Sequence, residues 1–340
     1  MPSSTNAGFG KKKSPFAHTY SIVARDPATG DMGVAVQSHW FSVGTVVTWG
    51  EAGVGAIATQ AFANVSFGPR GLELLREGMG ARSAIDILIA SDEAREMRQL
   101  AILDSNGGVA VHTGKKCIPS AGHVIGDDHS VQANMMINSK VWPAMDRAFR
   151  SAKGSLAERM LLTLEAGERA GGDIRGRQSA ALLVVRGKST GNSWEDRLVD
   201  LRVDDSPQPL VELRRLLDIH NAYERMNQGD VALEKGNMAL AREHYSSAER
   251  LFPENEEMRF WHAVTLASNG LLEESLPLFK NVFLRNEKWR LLTKRLVPNG
   301  VLLVNKGGLS RILEQCKLPK ATLPQSTIRV KRNDKRIKHR

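Results

Sequence analysis

Apolar and polar positions along the first two hundred residues group into runs that separate strands from helices. Thr19–Arg25 and residues 33–38 are short β-prone runs on either side of Asp26-Pro27-Ala28-Thr29-Gly30-Asp31, a stretch of turn formers, which predicts a β-hairpin. Residues 44–49 and 54–59 flank Gly50-Glu51-Ala52-Gly53 and predict a second hairpin, so four antiparallel strands are expected by residue 60. Helical spacing follows from Pro69 to Leu75 and over residues 83–89, broken at Gly78 and Gly80. Residues 99–103 and 109–112 return to strand around Asp104-Ser105-Asn106-Gly107-Gly108, and a further strand is expected over residues 130–136. Two helices follow, Val141–Ser151 and Leu156–Arg169, the second opened by the capping box Ser155-Leu156-Ala157-Glu158. Ser179–Val185 is almost continuously apolar and predicts a strand covered on both faces; residues 198–203 alternate and pair with it.

Strands, two helices, strands, two helices and strands do not make the regular βαβ alternation of a doubly wound sheet. The order suits an α+β chain with two antiparallel sheets covered by helix pairs, a four-layer αββα sandwich. After Asp204-Asp205-Ser206-Pro207 the pattern is helical. There a repeat recurs at a lag of 34, with Gly236 and Gly270, Tyr245 and Phe279, and Ala248 and Val282 in register. Together with Leu240, Ala241 and Pro253 it resembles a tetratricopeptide (TPR) unit and a degenerate second copy, with an ordinary helical bundle as the alternative. Two units are fewer than a free-standing solenoid needs, so they are expected to dock on the first domain, on a partner or on residues 218–233. The expected organisation is a disordered basic extension over 1–18, the sandwich over 19–205, the TPR-like region over 206–300, and a segment over 301–340 that ends in a disordered basic tail.

Composition adds little until charge is located. Hydrophobic residues at 41% and charged residues at 25% are near the globular average, which argues against wholesale disorder and against a disulfide scaffold. Lys plus Arg number 47 against 37 Asp plus Glu, a net charge of +10. Nine of those ten charges lie in the tails, +3 from Lys11, Lys12 and Lys13 and +6 within residues 329–340. The body, near +1, has no basic footprint, so no specific nucleic-acid partner is expected. Cys117 and Cys316 are far apart and read as free thiols of a reducing compartment. No run resembles a secretory signal or a membrane helix, so a cytoplasmic protein without a membrane partner is expected.

Thr19 opens the first strand. Hydrolases that use an N-terminal Thr, Ser or Cys place that residue at this point of an αββα sandwich, where its side chain is the nucleophile and its own α-amine the base. Here eighteen residues precede it, and the amine is free only if the His18–Thr19 bond is cut. Five ordered blocks carry a wider resemblance: Thr19-Tyr20-Ser21-Ile22-Val23-Ala24-Arg25-Asp26, Gly33-Val34-Ala35-Val36-Gln37-Ser38, Gly53-Val54-Gly55-Ala56, Ala58-Thr59-Gln60-Ala61 with Gly68-Pro69-Arg70-Gly71-Leu72, and Gly171-Gly172-Asp173-Ile174-Arg175-Gly176-Arg177-Gln178-Ser179-Ala180. Over residues 19–220 the chain resembles a bacterial and archaeal family of unknown function placed in the N-terminal nucleophile (Ntn) hydrolase superfamily. The resemblance implies an Ntn-hydrolase-like αββα fold and carries no substrate. The chain departs from the family by its extension, by His18 where Gly often precedes a released Thr, and by Ala133 where the family pattern has Gly.

An amidase also needs donors aimed at the developing oxyanion, each contributing roughly 3 to 4 kcal/mol. Asn64 and Asn134 are the candidates beside Thr19, with Gln60 and Ser38 next; the competing reading is that these groups satisfy buried backbone. Asp173, Arg175 and Gln178 form a polar cluster before a buried strand. They suit the ammonium and carboxylate of an amino-acid-like substrate, or else an ion pair that organises the loop. His112, Cys117, His123 and His129 with Asp127 and Asp128 have no zinc-signature spacing, nothing in the sequence argues for a lowered Cys117 pKa, and no phosphate-binding glycine motif is present, so no metal or cofactor is expected. The expectation is an Ntn-type amidohydrolase acting on a small-molecule amide or N-acyl amino-acid-like compound, with Thr19 as nucleophile once residues 1–18 are removed. The alternative is a non-catalytic Ntn-fold protein that binds a protein partner through residues 206–300. Edge strands and a small-residue sheet leave a homodimer open.

Overall fold

A computed structural model describes residues 16–315. The charged tails predicted from Lys11–Lys13 and residues 329–340, and Cys316, lie outside the described residues. The chain divides into two compact units at residues 221 and 222.

In the first unit an antiparallel sheet is built from β1 (Phe16–Ala17), β4 (Thr48–Glu51), β5 (Gly55–Phe62), β6 (Arg98–Asp104) and β7 (Val109–Thr113), in the order β1-β5-β6-β7 with β4 also on β5. A second antiparallel sheet has the order β11-β10-β3-β2-β9-β8. Its strands are β2 (Thr19–Arg25), β3 (Met32–Ser38), β8 (Gly122–Gly126), β9 (His129–Ala133), β10 (Ser179–Val185) and β11 (Arg197–Val203). Three apolar layers hold the unit together. Val23, Val34 and Val36 meet Ala56, Ala58, Ala101 and Leu103 between the sheets. Tyr20, Ile22 and Leu182 pack under α4 (Val141–Ser151) and α5 (Leu156–Arg169). Ile57, Leu100 and Ile102 pack under α2 (Phe67–Arg76) and α3 (Ala81–Ala90). Period-two alternation assigns each strand residue to one of these layers, so a one-residue slip would exchange helix-facing and sheet-facing side chains.

Several predicted elements match the observed bounds, and the reasons are local. All of β10 is buried, as a strand between two neighbours and two layers requires. Ser155 caps α5 by accepting from the Glu158 backbone N–H at 3.3 Å. Residues 44–49 are not a continuous strand: α1 (Gly44–Val47) precedes β4. Val43 and Val47, one helical turn apart, both enter the inter-sheet core. The strand expected to Met136 ends at Ala133, because Met135 takes a left-handed backbone with φ 60°. β8 was not anticipated, since Gly122-His123-Val124-Ile125-Gly126 has no apolar alternation.

Helix α6 (Pro209–Glu234) begins in the first unit, where Leu210, Leu213 and Leu217 extend the core beyond residue 205. Its later turns, with α7 (Met238–Leu251), α8 (Glu256–Ser268), α9 (Leu272–Arg285), α10 (Lys288–Leu296) and α11 (Lys306–Glu314), form the second unit. The bounds of α7 and α9 are 34 residues apart at both ends. Tyr245 and Phe279, their equivalent positions, are fully buried. Gly236 and Gly270 close the preceding helices at φ 74° and 82°. Among the described residues no helix is long and apolar enough to cross a membrane.

Helix α2 approaches its sheet closely at Gly55. A Cβ there would lie 2.4 Å from Leu75 Cδ1 and 2.6 Å from the Leu103 carbonyl oxygen, a backbone atom that cannot turn aside. Gly55→Ala is expected to lower the urea midpoint by an amount equivalent to about 1–3 kcal/mol.

Candidate functional site

One end of the inter-sheet layer is polar. Thr19, Ser21, Ser38, Gln60, Gln99, Gln132 and Asn134 are all buried there, at positions whose alternation otherwise places Val and Ala. A buried polar group without a partner costs about 1–3 kcal/mol, so such a cluster persists only as a connected network. Gln99 is its centre: Oε1 accepts from Gln60 Nε2 at 2.5 Å and from Asn134 Nδ2 at 2.9 Å, while Nε2 donates to the Ala133 carbonyl at 3.0 Å and to Thr113 Oγ1 at 2.9 Å. Ser21 donates to Gln60 Oε1 at 2.7 Å and accepts from Gln132 Nε2 at 2.6 Å. The Asn134 backbone N–H donates to the Thr19 carbonyl at 3.0 Å, which carries the β2–β9 pairing one residue further.

The chain enters this cluster by changing sheets. β1 pairs with β5, Phe16 with Phe62 and Ala17 with Ala61, and two residues later Thr19 pairs with Ser38 in the other sheet. His18 spans the gap and is buried. Its carbonyl oxygen accepts from Ser38 Oγ at 2.7 Å and from Arg175 Nη2 at 2.6 Å. Its ring Nδ1 lies 2.7 Å from Asn134 Oδ1. Because Asn134 Nδ2 is turned to Gln99, the amide oxygen faces the ring and Nδ1 carries the proton. Burial lowers the His18 pKa from its ordinary 6.5, with Arg175 adding to the effect and the Asn134 hydrogen bond opposing it. Thr19 Oγ1 is buried and makes no hydrogen bond to any described residue.

The predicted site residues divide. Thr19, Ser38, Gln60, Asn134, Asp173 and Arg175 share one connected group. Asp173 holds Arg175 through both carboxylate oxygens at 3.0 and 2.7 Å and accepts from the His39 backbone N–H at 3.2 Å, so this ion pair presents Arg175 to the His18 carbonyl. Gln178 turns away, donating to Asp205 Oδ1 at 3.1 Å. Asn64 is used in its own turn: Nδ2 donates to Asp92 at 3.0 Å and Oδ1 accepts from Ser66, with Asp92 also bound to Arg98. Burial works against the Asp92 carboxylate, but hydrogen bonds from Arg98, Asn64 and the Ala94 backbone lower its pKa. The Asn64 side chain thus bonds within its own turn and to Asp92, not to the group around Thr19. Ser21, Gln99, Gln132 and the His18 side chain are site residues that motif reading missed; their signal is a polar residue at each inward-facing position near the same strand ends.

The ligand-type residues go to separate partners. His112 lies 2.9 Å from the Arg95 carbonyl, His123 2.9 Å from Thr113 Oγ1 and His129 2.9 Å from Asp146. Among the described residues no three such groups converge as a metal would require. Burial pushes the Cys117 thiol up to about 11, a value that suits no thiolate nucleophile. Two non-glycine residues beside the site, Ala61 and Met135, hold φ of 66° and 60°, conformations that cost about 1–3 kcal/mol each and concentrate at functional positions.

Residues 19–213 match the model of a family described as of unknown function (DUF1028). The crystal structure of protein SPO2555 from Silicibacter pomeroyi, of the same family model, is similar with 32% identity and a TM-score of 0.54, covering 59% of this chain and 85% of that one. No curated protein matches the chain.

Gln99→Leu removes the acceptor shared by Gln60 and Asn134 and leaves two buried amide groups short of a partner. Chemical denaturation should show a loss of about 2–5 kcal/mol. While residues 1–18 are attached, the depressed His18 pKa gives a pH signature as well. The folded chain binds fewer protons there than the unfolded chain, so this contribution is complete above about pH 6.5 and declines as pH falls below that value. Burial depresses His123 in the same direction. Melting temperature should therefore drop between about pH 7 and pH 5, and the drop should shrink when both are replaced, His18→Gln with His123→Gln.

Proposed function

We propose a hydrolytic role for this chain, which belongs to the DUF1028 family of unknown function: an Ntn-type amidohydrolase cleaving a small amide or N-acyl amino-acid-like substrate, with Thr19 as nucleophile. One observation carries the reading. The carbonyl oxygen of His18 receives two donors, Ser38 Oγ and Arg175 Nη2, beside a buried Thr19 hydroxyl that has no hydrogen-bond partner among the described residues. Donors fixed on a carbonyl oxygen are what a developing tetrahedral oxyanion requires. The layering of helices, two sheets and helices, and the place of Thr19 at the start of β2, suit an αββα Ntn fold.

In this reading the first substrate is the chain itself. Thr19 Oγ attacks the His18 carbonyl carbon, the carbon–nitrogen bond breaks, and the hydroxyl proton ends on the departing Thr19 nitrogen. Water then hydrolyses the resulting ester, leaving a carboxylate on His18, a free amine on Thr19 and a restored hydroxyl. The exposed α-amine becomes the base for later substrates, and Ser38 and Arg175 donate to the oxyanion each time. Asn134 fixes the acyl group, and Asp173 positions the guanidinium.

A partner-binding role for the helical unit is the second reading, and the 34-residue recurrence of α7 and α9 favours it as a TPR-like pair. Val231 and Leu240, exposed beside a cavity of about 420 Å³, would take part in the contact. Under that reading alone, the double variant Val231→Asp, Leu240→Asp loses the partner in pull-down while the N-terminus stays intact.

Intact mass of the protein from its native host should show a chain beginning at Thr19. Thr19→Ala should keep residues 1–18 attached and hydrolyse nothing, and Ser38→Ala should slow release about 10²–10³-fold. A native protein that retains its first eighteen residues ends the hydrolase reading.

A further inference from the structure

The segment before Thr19 outlines how an acyl donor sits. Phe16 and Ala17 add a strand to β5 at Phe62 and Ala61. On the opposite side of β5, β6 pairs with residues 55–61, and on the β1 side β4 reaches only residues 55–58. Loss of β1 therefore leaves the backbone groups of Ala61 and Phe62 as an open edge, the kind of edge that extended peptides join. At the end of that edge His18 occupies a formed subsite. Its Nδ1–H meets Asn134 Oδ1 at 2.7 Å, its ring stands edge-on to Phe62 with centroids 5.0 Å apart at 89°, and its carbonyl lies between Ser38 and Arg175.

We infer that, once residues 1–18 are gone, this site takes a peptidyl amide in extended conformation. The backbone of its acyl part pairs with Ala61 and Phe62, and the residue that bears the scissile carbonyl carries an aromatic ring with an N–H donor for Asn134. The inference rests on the hydrolase reading and narrows its substrate from a small amide to a peptide whose acyl-side residue is histidine-like. Asn134 reads that residue through one hydrogen bond in a buried pocket. A side chain that lacks the donor leaves Asn134 Oδ1 unpaired, which is the situation in which sites discriminate strongly. The three small groups involved, Ala17, Ala61 and Ser38, leave the backbone of the acyl part close to β5 and to the reacting carbonyl.

The test uses the full chain after its own maturation, with coumarin amides as probes. The amide that copies Phe16-Ala17-His18 should be hydrolysed with a kcat/KM at least about tenfold above its analogue with alanine in the last position, and at least about tenfold above the amide of acetyl-histidine alone. The corresponding tripeptide acid should inhibit competitively, and its alanine-ended analogue should need a far higher concentration. Equal rates for the histidine and alanine amides, or for the tripeptide and the single residue, overturn the peptide inference while the hydrolase reading stands. A chain that never loses residues 1–18 removes both.

Discussion

Two β-sheets packed face to face usually close on an aliphatic layer, and here that layer stops before the end of β2. From Val23 towards Thr19 the inward positions turn from Val to Ser to Thr; the facing strands answer with Gln60 and Gln99, and β9, beside β2, with Gln132. Because each amide has both a donor and an acceptor end, Gln60, Gln99 and Asn134, with Gln132 joined through Ser21, link strands of both sheets in one network. Gln99 on β6 reaches Gln60 on β5, Asn134 after β9 and the Ala133 carbonyl, so it fixes the two sheets relative to each other where apolar packing would tolerate sliding. Specificity of position is the gain, and the cost is that removing one member strands the others.

Held by that network, the chain can cross between sheets at one residue. β1 lies in one sheet and β2 in the other, and the peptide plane between His18 and Thr19 falls in the gap. Its carbonyl cannot join either ladder, so side chains take it, Ser38 from β3 and Arg175 from the loop before β10. The guanidinium is affordable there because Asp173, whose side chain is fully buried, neutralises it through two bonds. A carbonyl held by a hydroxyl and a cation is polarised, and this follows from the topology before any catalytic role is considered.

Much of this was legible in the chain, and the limits have physical causes. Val141–Ser151, Leu156–Arg169 and Ser179–Val185 stood out because long apolar periodicity and the Ser155 cap depend on neighbours in sequence. The α1 turn and β8 did not, since four and five residues carry too little periodicity to outweigh Gly44, Gly122 and Gly126. At the site, Thr19, Ser38, Gln60 and Asn134 were visible as polar residues near strand ends. Asn64 looked the same by type and place, but its partner Asp92 comes from beyond α3, a contact no local pattern contains. Gln99 was overlooked for the opposite reason: at the start of a strand it reads as a boundary residue, and only its register with Gln60 turns it inward.

Burial also bears on who could cut the chain before Thr19. His18 is 1% exposed and Thr19 is not exposed at all, with strands on both sides of the bond. An external protease acts on segments that open, and opening here means detaching β1 from β5 and the start of β2 from β3 and β9, which breaks the amide network as well. A group already inside has no such barrier. The Thr19 hydroxyl belongs to the residue next to the His18 carbonyl, needs no opening to reach it, and shares its site with two donors on the carbonyl oxygen. The same packing that would protect the bond from other enzymes therefore favours its being broken, where it is broken, by the chain itself.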